Sequence, residues 1–100
     1  MAQVIYSQGA FDDLERIYLA LEPEDPTLAA NCMALIATGI RDLAAQPELG
    51  RPAEEGYRER VLSRGRTGYV VLYSHLELDD TVLVLAIRHR YQAGYPDPRA

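Results

Sequence analysis

The sequence has no lysine and no tryptophan, and it has one cysteine among its 100 residues. Because Cys32 has no second cysteine to pair with, an internal disulfide is excluded and nothing points to an oxidising compartment. The first fifteen residues hold three acidic residues and no apolar stretch of the signal-peptide type. Apolar runs such as 69–73 and 82–87 are far too short to span a bilayer. These absences predict a soluble, cytoplasmic protein with no membrane partner.

The residue combinations that form common catalytic and metal sites are also missing from the sequence. His75 and His89 lie in different predicted strands, and a lone cysteine adds no metal-ligand spacing. The sequence has no glycine-rich phosphate loop and no serine nucleophile motif. Adjacent acids such as Asp12-Asp13 are typical of helix starts and solvated turns. We therefore predict no metal site and no cofactor.

The absence of lysine leaves arginine as the only permanently charged cationic side chain. Residues 1–50 hold two arginines and eight acidic residues, a formal charge of -6, whereas residues 51–100 hold eight arginines and seven acidic residues, a charge of +1. Arginine suits planar, bidentate contact with carboxylate or phosphate. A protein with a pI near 4.9 is nevertheless poorly suited to tight, non-specific nucleic-acid binding, which depends on neutralising many phosphates.

The first half of the sequence predicts a short strand followed by two helices. Residues 2–7 are apolar, β-branched and aromatic, which favours a strand. Helical spacing follows from Ala10 to Pro23, and a second helix is predicted from Pro26 to about Ala45, preceded by Asp25 as its N-cap. The two helices should form an antiparallel hairpin. The second helix contains Gly39, and glycine destabilises a helix by about 1 kcal/mol relative to alanine. We expect that glycine is present there because the two helices approach each other closely.

The second half predicts three strands, 57–63, 69–76 and 81–90, separated by short polar breaks. The order β-α-α-β-β-β predicts an α+β fold: a helical hairpin packed on a four-stranded, mainly antiparallel sheet, in a single domain over residues 1–100. Two helices cover only one face of such a sheet. Either the other face is partly exposed or a partner covers it, because the last strand is apolar on both faces.

Alternation along the last strand predicts which side chains face the helices. Larger side chains should mark the helix-packed face, which would receive Leu83, Leu85 and Ile87. The open face would then carry Val82, Val84 and Ala86, followed by Arg88 and Arg90.

The densest group of polar chemistry lies at the C-terminal end, in Arg88-His89-Arg90-Tyr91 and Gly94-Tyr95. Arginines also recur in and directly after the first strand of the second half, at 58, 60 and 64. Such a cluster could bind an RNA backbone and assist its cleavage, with arginine stabilising charge and tyrosine or histidine moving protons. It could equally bind an acidic protein surface, or simply be the solvated ends of edge strands.

The element order and seven local motifs, taken together, resemble the RelE/ParE toxin superfamily. No single motif is specific, but their order and spacing are, and they span nearly the whole chain. They are VIYS at 4–7, AFDDL at 10–14, PELGRP at 47–52, GYRE at 56–59, YVVLY at 69–73, AIRHR at 86–90 and AGY at 93–95. The last two resemble the ending of proteins called plasmid stabilisation toxins.

This resemblance implies the toxin half of a type II toxin–antitoxin system. Family members are neutralised by an antitoxin whose C-terminal segment folds onto the toxin, here a ParD-like protein. The residues expected to contact it are three on the first helix and two on the last strand: Leu14, Tyr18, Leu21, Val82 and Val84. The three helix residues could instead belong to the core of the protein itself, which their helical spacing favours.

The superfamily has two branches, which imply different targets. ParE-like members poison DNA gyrase and are not enzymes, and the acidic pI and absence of lysine favour this branch. Its target-binding residues are expected to be Arg88, His89, Arg90, Tyr91 and Tyr95. RelE-like members are ribosome-dependent mRNA endoribonucleases, and their catalytic places could be filled here by Arg58, Arg66, Arg90 and Tyr95. A third possibility is an inactive homologue that only binds antitoxin.

Overall fold

The computed structural model of the protein describes residues 1–65 and 67–92. Its helices are α1 (Gln8–Leu21) and α2 (Pro26–Ala45), and its strands are β1 (Gln3–Tyr6), β2 (Arg51–Pro52), β3 (Arg58–Arg64), β4 (Thr67–Leu76) and β5 (Thr81–His89). The predicted α+β order is confirmed. The sheet has five strands rather than four, because the connector after α2 contributes β2, a strand of two residues.

Both helices begin at the caps that the sequence provides. The Ser7 side chain accepts a hydrogen bond from the backbone amide of Ala10 at 3.1 Å, and the Asp25 side chain accepts one from the amide of Leu28 at 3.0 Å. Each bond satisfies an amide that the first helical turn leaves without a partner. Pro26, which has no amide hydrogen to lose, occupies the first position of α2.

The sheet has the order β1-β5-β4-β3-β2, so the longest strands, β4 and β5, lie at its centre. The outer strand β1 pairs parallel to β5, and every other pairing is antiparallel. Both helices pack against one face of this sheet. The opposite face, which we call the open face, is carried by alternate residues of every strand.

The register of β5 against β4 shifts by one residue between Leu72 and Tyr73, and this bulge changes which side chains face the helices. Leu85 has no counterpart in β4. Before the bulge Val82 and Val84 point into the core, and after it Ile87 does, all three with 0% exposure.

The prediction that Leu83 and Leu85 face the helices is therefore wrong, and so is the placement of Val82 and Val84 on an exposed antitoxin-binding face. The prediction for Ile87 is confirmed. The rule of simple alternation fails because the bulge inserts one extra residue into the strand. The larger size of Leu83 and Leu85 does not place them in the core, because the core space beside Val84 is filled by Tyr73, its neighbour in β4.

Gly39 is explained by contact with the sheet rather than with the other helix. A Cβ atom at Gly39 would collide with both terminal methyl groups of Leu62 in β3. The predicted helix–helix contact is thus wrong, and the glycine lets α2 approach the sheet closely enough to bury Leu62.

Helix α2 is long and apolar enough to cross a membrane, judged by length and composition alone. Its buried residues, however, recur on one face, which packs on the sheet. They are Ala29, Cys32, Ile36, Gly39, Ile40, Leu43 and Ala44. This one-sided burial is that of a core helix. The Cα radius of gyration of 13.2 Å matches the roughly 13 Å of a compact chain of about 100 residues.

Tyr73 joins the centre of the sheet to the connector that follows α2. Its side chain is 0% exposed, and its hydroxyl donates to the carbonyl of Pro47 at 2.6 Å and accepts from the amide of Gly50 at 2.9 Å. A Cβ atom at Gly50 would lie 2.7 Å from the Tyr73 hydroxyl and 2.8 Å from the carbonyl oxygen of Glu59. The Leu-Gly-Arg-Pro motif therefore needs glycine for close approach.

Removing this hydroxyl tests how much the connector depends on it. We expect Tyr73→Phe to lower the free energy of unfolding by about 1–3 kcal/mol, because the Gly50 amide and the Pro47 carbonyl lose their buried partner. Urea unfolding followed by circular dichroism measures the change. Tyr18→Phe, at a side chain that is 39% exposed, is the control and should change stability by less than about 0.5 kcal/mol. Equal effects of the two substitutions would contradict this account of Tyr73.

Candidate functional site

The polar cluster predicted at the end of β5 is divided between the two faces of the sheet. Arg88 lies opposite Val70 on the open face, and Arg90 lies on the same face, where its side chain packs directly over Gly68. His89 lies on the helix side, where its ring meets Tyr69 edge-on with centroids 5.6 Å apart. The sequence-predicted placement of Arg88 and Arg90 on the open face is confirmed.

Arg88 binds the turn that follows β5. One guanidinium nitrogen donates to the carbonyl of Gln92 at 2.8 Å and reaches those of His89 and Arg90 at 3.3 and 3.4 Å. Another guanidinium nitrogen lies 3.8 Å from the carboxylate of Glu59 in β3. With a side chain only 14% exposed, Arg88 positions the turn rather than presenting its charge outward.

Glu59 in turn connects Arg88 to the connector strand. Its carboxylate lies 3.3 Å from the guanidinium of Arg51 in β2 and is itself only 17% exposed. Arg51, Glu59 and Arg88 thus form a row of charges across the open face, from one sheet edge to the end of β5. Reasoning from the sequence missed Glu59, because nothing in the Arg-Glu-Arg pattern around it identifies which strand its side chain will meet.

Arg90 and Tyr91 are the exposed members of the cluster. The guanidinium carbon of Arg90 lies 4.9 Å from the centre of the Tyr91 ring, a cation–π contact. Tyr91 is 71% exposed, and its ring also lies 5.4 Å from that of His89, whose Nδ1 accepts the Tyr91 amide at 3.2 Å. The two side chains therefore form an ordered, solvent-facing pair. We call this pair, Arg90 and Tyr91, the β5 tip.

The tyrosine beside His89 is poorly suited to proton transfer near neutral pH. Burial raises the pKa of Tyr69, and a hydrogen bond with Cys32 raises it further. The phenol therefore stays protonated and acts as part of the core.

The described members of the RelE-like catalytic set do not meet. Arg58 lies on the helix side, where its guanidinium donates to the carbonyl of Gly50 at 2.8 Å and to that of Glu48 at 3.4 Å. Arg90 lies on the open face. The sheet separates them, so they cannot act on one bond together. Arg66 and Tyr95, the other two members, lie outside the described residues. The target-binding role expected of Tyr95 therefore stays a prediction.

A cavity of about 400 Å³ opens beside the row of charges, and its lining is acidic. Glu54, Glu55 and Glu59 contribute carboxylates, and Leu72, Ala53 and Tyr57 complete it. Carboxylates repel the phosphates of an RNA backbone, so this part of the molecule is unsuited to holding a nucleic acid. Residues 1–65 and 67–92 also contain no group of three or more His, Cys, Asp or Glu side chains that could hold a metal ion.

The three residues predicted on α1 for antitoxin binding lie along one flank of that helix. Leu14 and Leu21 are half-buried against the core, and Tyr18 is 39% exposed. Phe11, which the sequence-based site omitted, continues the same flank. It is 53% exposed, and its ring stacks on Tyr6 of β1 with centroids 5.4 Å apart. We call the four side chains Phe11, Leu14, Tyr18 and Leu21 the hairpin stripe.

Comparison with known families gives a match over nearly the whole chain. Residues 4–94 match the family described as ParE toxin of type II toxin-antitoxin system, parDE. A search of curated protein sequences finds no match.

Solved structures share the fold over most of their length. A chain from the chromosomal ParDE TA system of P. aeruginosa superposes with a TM-score of 0.72 at 22% identity, covering 89% of this chain and 96% of that one. A chain from the toxin–antitoxin complex RelBE2 of Mycobacterium tuberculosis gives 0.60 at 26% identity, with 89% and 98% covered. The metal-bound toxin from Helicobacter pylori gives 0.51 at 15% identity, with 90% and 96% covered.

Replacing Arg88 tests whether its guanidinium orders the β5 tip. The Gln92 amide donates to the His89 carbonyl at 2.9 Å inside this turn. We expect Arg88→Gln to speed hydrogen exchange of that amide roughly five- to tenfold, because the turn opens more often once it loses the guanidinium bonds to its carbonyls, each worth about 1 kcal/mol. Nuclear magnetic resonance of the folded protein measures the rate. Arg51→Gln, at the other end of the charge row, is the control and should leave Gln92 unchanged. If the Gln92 amide exchanges at the wild-type rate in Arg88→Gln, the turn keeps its structure without the Arg88 guanidinium.

Proposed function

The chain belongs to the ParE toxin family of type II toxin–antitoxin systems, and on that premise we propose that it inhibits its target by contact rather than by catalysis. The proposed target is DNA gyrase, and the proposed neutralising partner is a ParD-like antitoxin that folds on binding. Both interactions would take place in the cytoplasm. The observation that carries the proposal is the separation of Arg58 and Arg90 on opposite faces of the sheet.

Catalysis of RNA cleavage would need several groups around one phosphate. A general base must reach the attacking hydroxyl, and cations must stabilise the developing charge at the same place. Here the guanidinium groups of Arg58 and Arg88 are bound to backbone carbonyls, and the neighbouring cavity is acidic. These features support a contact inhibitor over an endoribonuclease.

The β5 tip is the proposed contact site. Arginine and tyrosine are among the side chains most enriched in residues that dominate binding energy, and here the two are exposed and in contact with each other. Pre-ordering lowers the entropic cost of binding. Arg88 and His89 take positioning roles, the first through the turn carbonyls and the second through the Tyr91 amide. On these grounds we propose that Arg90 and Tyr91 make the direct contacts.

One similarity still supports the ribonuclease alternative. The chain from the RelBE2 complex of M. tuberculosis is 26% identical to this one and aligns over 98% of its own length. A RelE-like activity is therefore the second candidate, and a toxin that only binds antitoxin is the third. The three candidates predict different results in the same set of assays.

Expression and supercoiling assays distinguish these candidates. We expect induced expression to arrest growth, expression of the neighbouring open reading frame to relieve the arrest, and the purified toxin to block supercoiling by purified gyrase. Normal supercoiling at saturating toxin would contradict the gyrase proposal. Codon-phased cleavage of mRNA in a ribosome-programmed reaction would then identify the second candidate, and absence of growth arrest would identify the third.

Substitution of the β5 tip tests the contact site itself. We expect Arg90→Ala and Tyr91→Ala each to raise the toxin concentration needed for half-inhibition of gyrase by about tenfold or more, as loss of a hot-spot residue does. Arg51→Ala removes an exposed arginine at the far sheet edge and should change it less than about twofold. An equal effect of Arg90→Ala and Arg51→Ala would point to a general loss of positive charge instead of a specific contact.

A further inference from the structure

The open face of the sheet has apolar side chains in contact with solvent, and no helix in the described part of the chain covers them. Val61 of β3 is 39% exposed, and Ile5, which pairs with Leu83 of β5, is 44% exposed. Leu72 of β4 and Leu83 lie on the strands between them and are partly exposed. Covering such side chains is favourable in proportion to the apolar area removed from water. We call these four side chains the apolar middle of the open face.

The two ends of the open face carry opposite charge. At one end lies the β5 tip, where the Arg90 amide donates to the carbonyl of Gly68 at 2.9 Å. At the other end the acidic cavity opens beside Leu72 and is bordered by Glu54 and Glu55. From Gly68 to Leu72 the strand advances by about 13 Å, at roughly 3.3 Å per residue. The cationic and acidic ends therefore lie too far apart to neutralise each other within one molecule.

The charges at the two ends are uncompensated, in contrast to the row of charges between them. Within the described part of the chain, Arg90, Glu54 and Glu55 form no ion pair. Glu59, in the middle of the row, is flanked by arginines on both sides. The open face thus presents one free cation at one end and two free carboxylates at the other.

We propose that the open face is an interface between two copies of this chain, related by a two-fold axis that runs across the strands. This axis reverses the strand direction, so the β5 tip of each copy meets the acidic cavity of the other, and the same contact forms twice. The Arg90 guanidinium of each copy then faces the Glu54 and Glu55 carboxylates of the other. The two apolar middles pack on each other between these contacts. The inference does not depend on the proposed function.

The charge pattern identifies a second copy as the occupant. A purely cationic partner would meet Arg90 as a like charge, and a purely acidic partner would meet Glu54 and Glu55 as like charges, which is unfavourable at an interface. A second copy in the reversed direction satisfies both ends at once. The cavity volume of about 400 Å³ falls within the roughly 300–1,000 Å³ of ligand pockets, so an arginine side chain fits.

Such a dimer has a consequence for the β5 tip. Because the contact covers Arg90 and Tyr91, only the monomer presents them to another protein. By mass action, the fraction of toxin with an exposed tip falls as the toxin concentration rises. Any partner that binds the tip competes with the second copy.

Sedimentation velocity of the full-length protein over a series of concentrations, at low salt, tests the inference. We expect a reversible equilibrium between monomer and dimer. Arg90→Glu alone, and Glu54→Arg with Glu55→Arg, should each raise the dissociation constant about tenfold or more, because like charges then meet at both ends. Combining all three substitutions exchanges the two signs and should restore the dissociation constant to within about threefold of the wild type.

The matched control is Glu15→Arg with Glu24→Arg, which changes the net charge as much as the Glu54 and Glu55 double substitution but lies on the helical hairpin. It should change the dissociation constant less than about twofold, because sites far from an interface act nearly independently of it. Circular dichroism should show that every variant is folded. In nuclear magnetic resonance spectra of the wild type, the amide of Val61 should shift with concentration and that of Glu24 should not.

Two results would overturn the inference. If the wild type is monomeric at every concentration, the open face is not a self-interface, and weaker binding of the neighbouring gene's protein to the Glu54 and Glu55 variant would identify the antitoxin as its occupant. If a dimer forms but the charge reversals leave its dissociation constant unchanged, the two copies meet elsewhere. Neither measurement involves gyrase, so the proposed function stands or fails separately.

Discussion

The structure depends on which groups form hydrogen bonds with the backbone of β5 beyond the point where its neighbour β1 ends. The outer strand stops at Tyr6, whereas β5 continues to His89. Helix α1 supplies the missing partners: the buried carboxylate of Asp13 accepts the Ile87 amide at 2.8 Å, and the Ser7 hydroxyl donates to the Leu85 carbonyl at 3.2 Å. Buried backbone groups without partners are costly. The bulge at Leu85 thus falls beyond the end of β1, where side chains rather than a neighbouring strand satisfy the edge of β5.

That bulge decides the surfaces of the molecule. Without it, the alternation that places Val82 and Val84 in the core would continue and turn Ile87 outward and Arg88 inward. With it, Ile87 joins the core while Arg88 and Arg90 reach the open face. Arg88 can then approach Glu59 and the carbonyls of the turn. The exposed arrangement of Arg90 and Tyr91 thus follows from one extra residue in β5 and from the Asp13 carboxylate that binds the strand beside it.

The hairpin stripe and the β5 tip differ in chemistry and lie on different elements. The hairpin stripe is an apolar flank of α1, and the β5 tip presents arginine and tyrosine beyond the sheet. Helix α1 nevertheless connects them, because Asp13 on its buried side binds β5 and the stripe occupies an adjacent flank.

The sequence by itself determined the element order, the bounds of α2, the Asp25 cap of that helix and the segregation of charge, because spacing, caps and charge are local properties of the chain. It also identified the family, from motifs such as Leu-Gly-Arg-Pro whose glycine fits against Tyr73. Only the tertiary structure decided that Val82 and Val84 are buried, that Gly39 meets Leu62, and that Arg58 and Arg90 lie on opposite faces. It also gave Asp13, which reads as an ordinary first-turn acid, its role as a buried acceptor. Each of these outcomes depends on contacts between residues far apart in the chain, and a shift of one residue in strand register, invisible to local periodicity, reverses which face a side chain occupies.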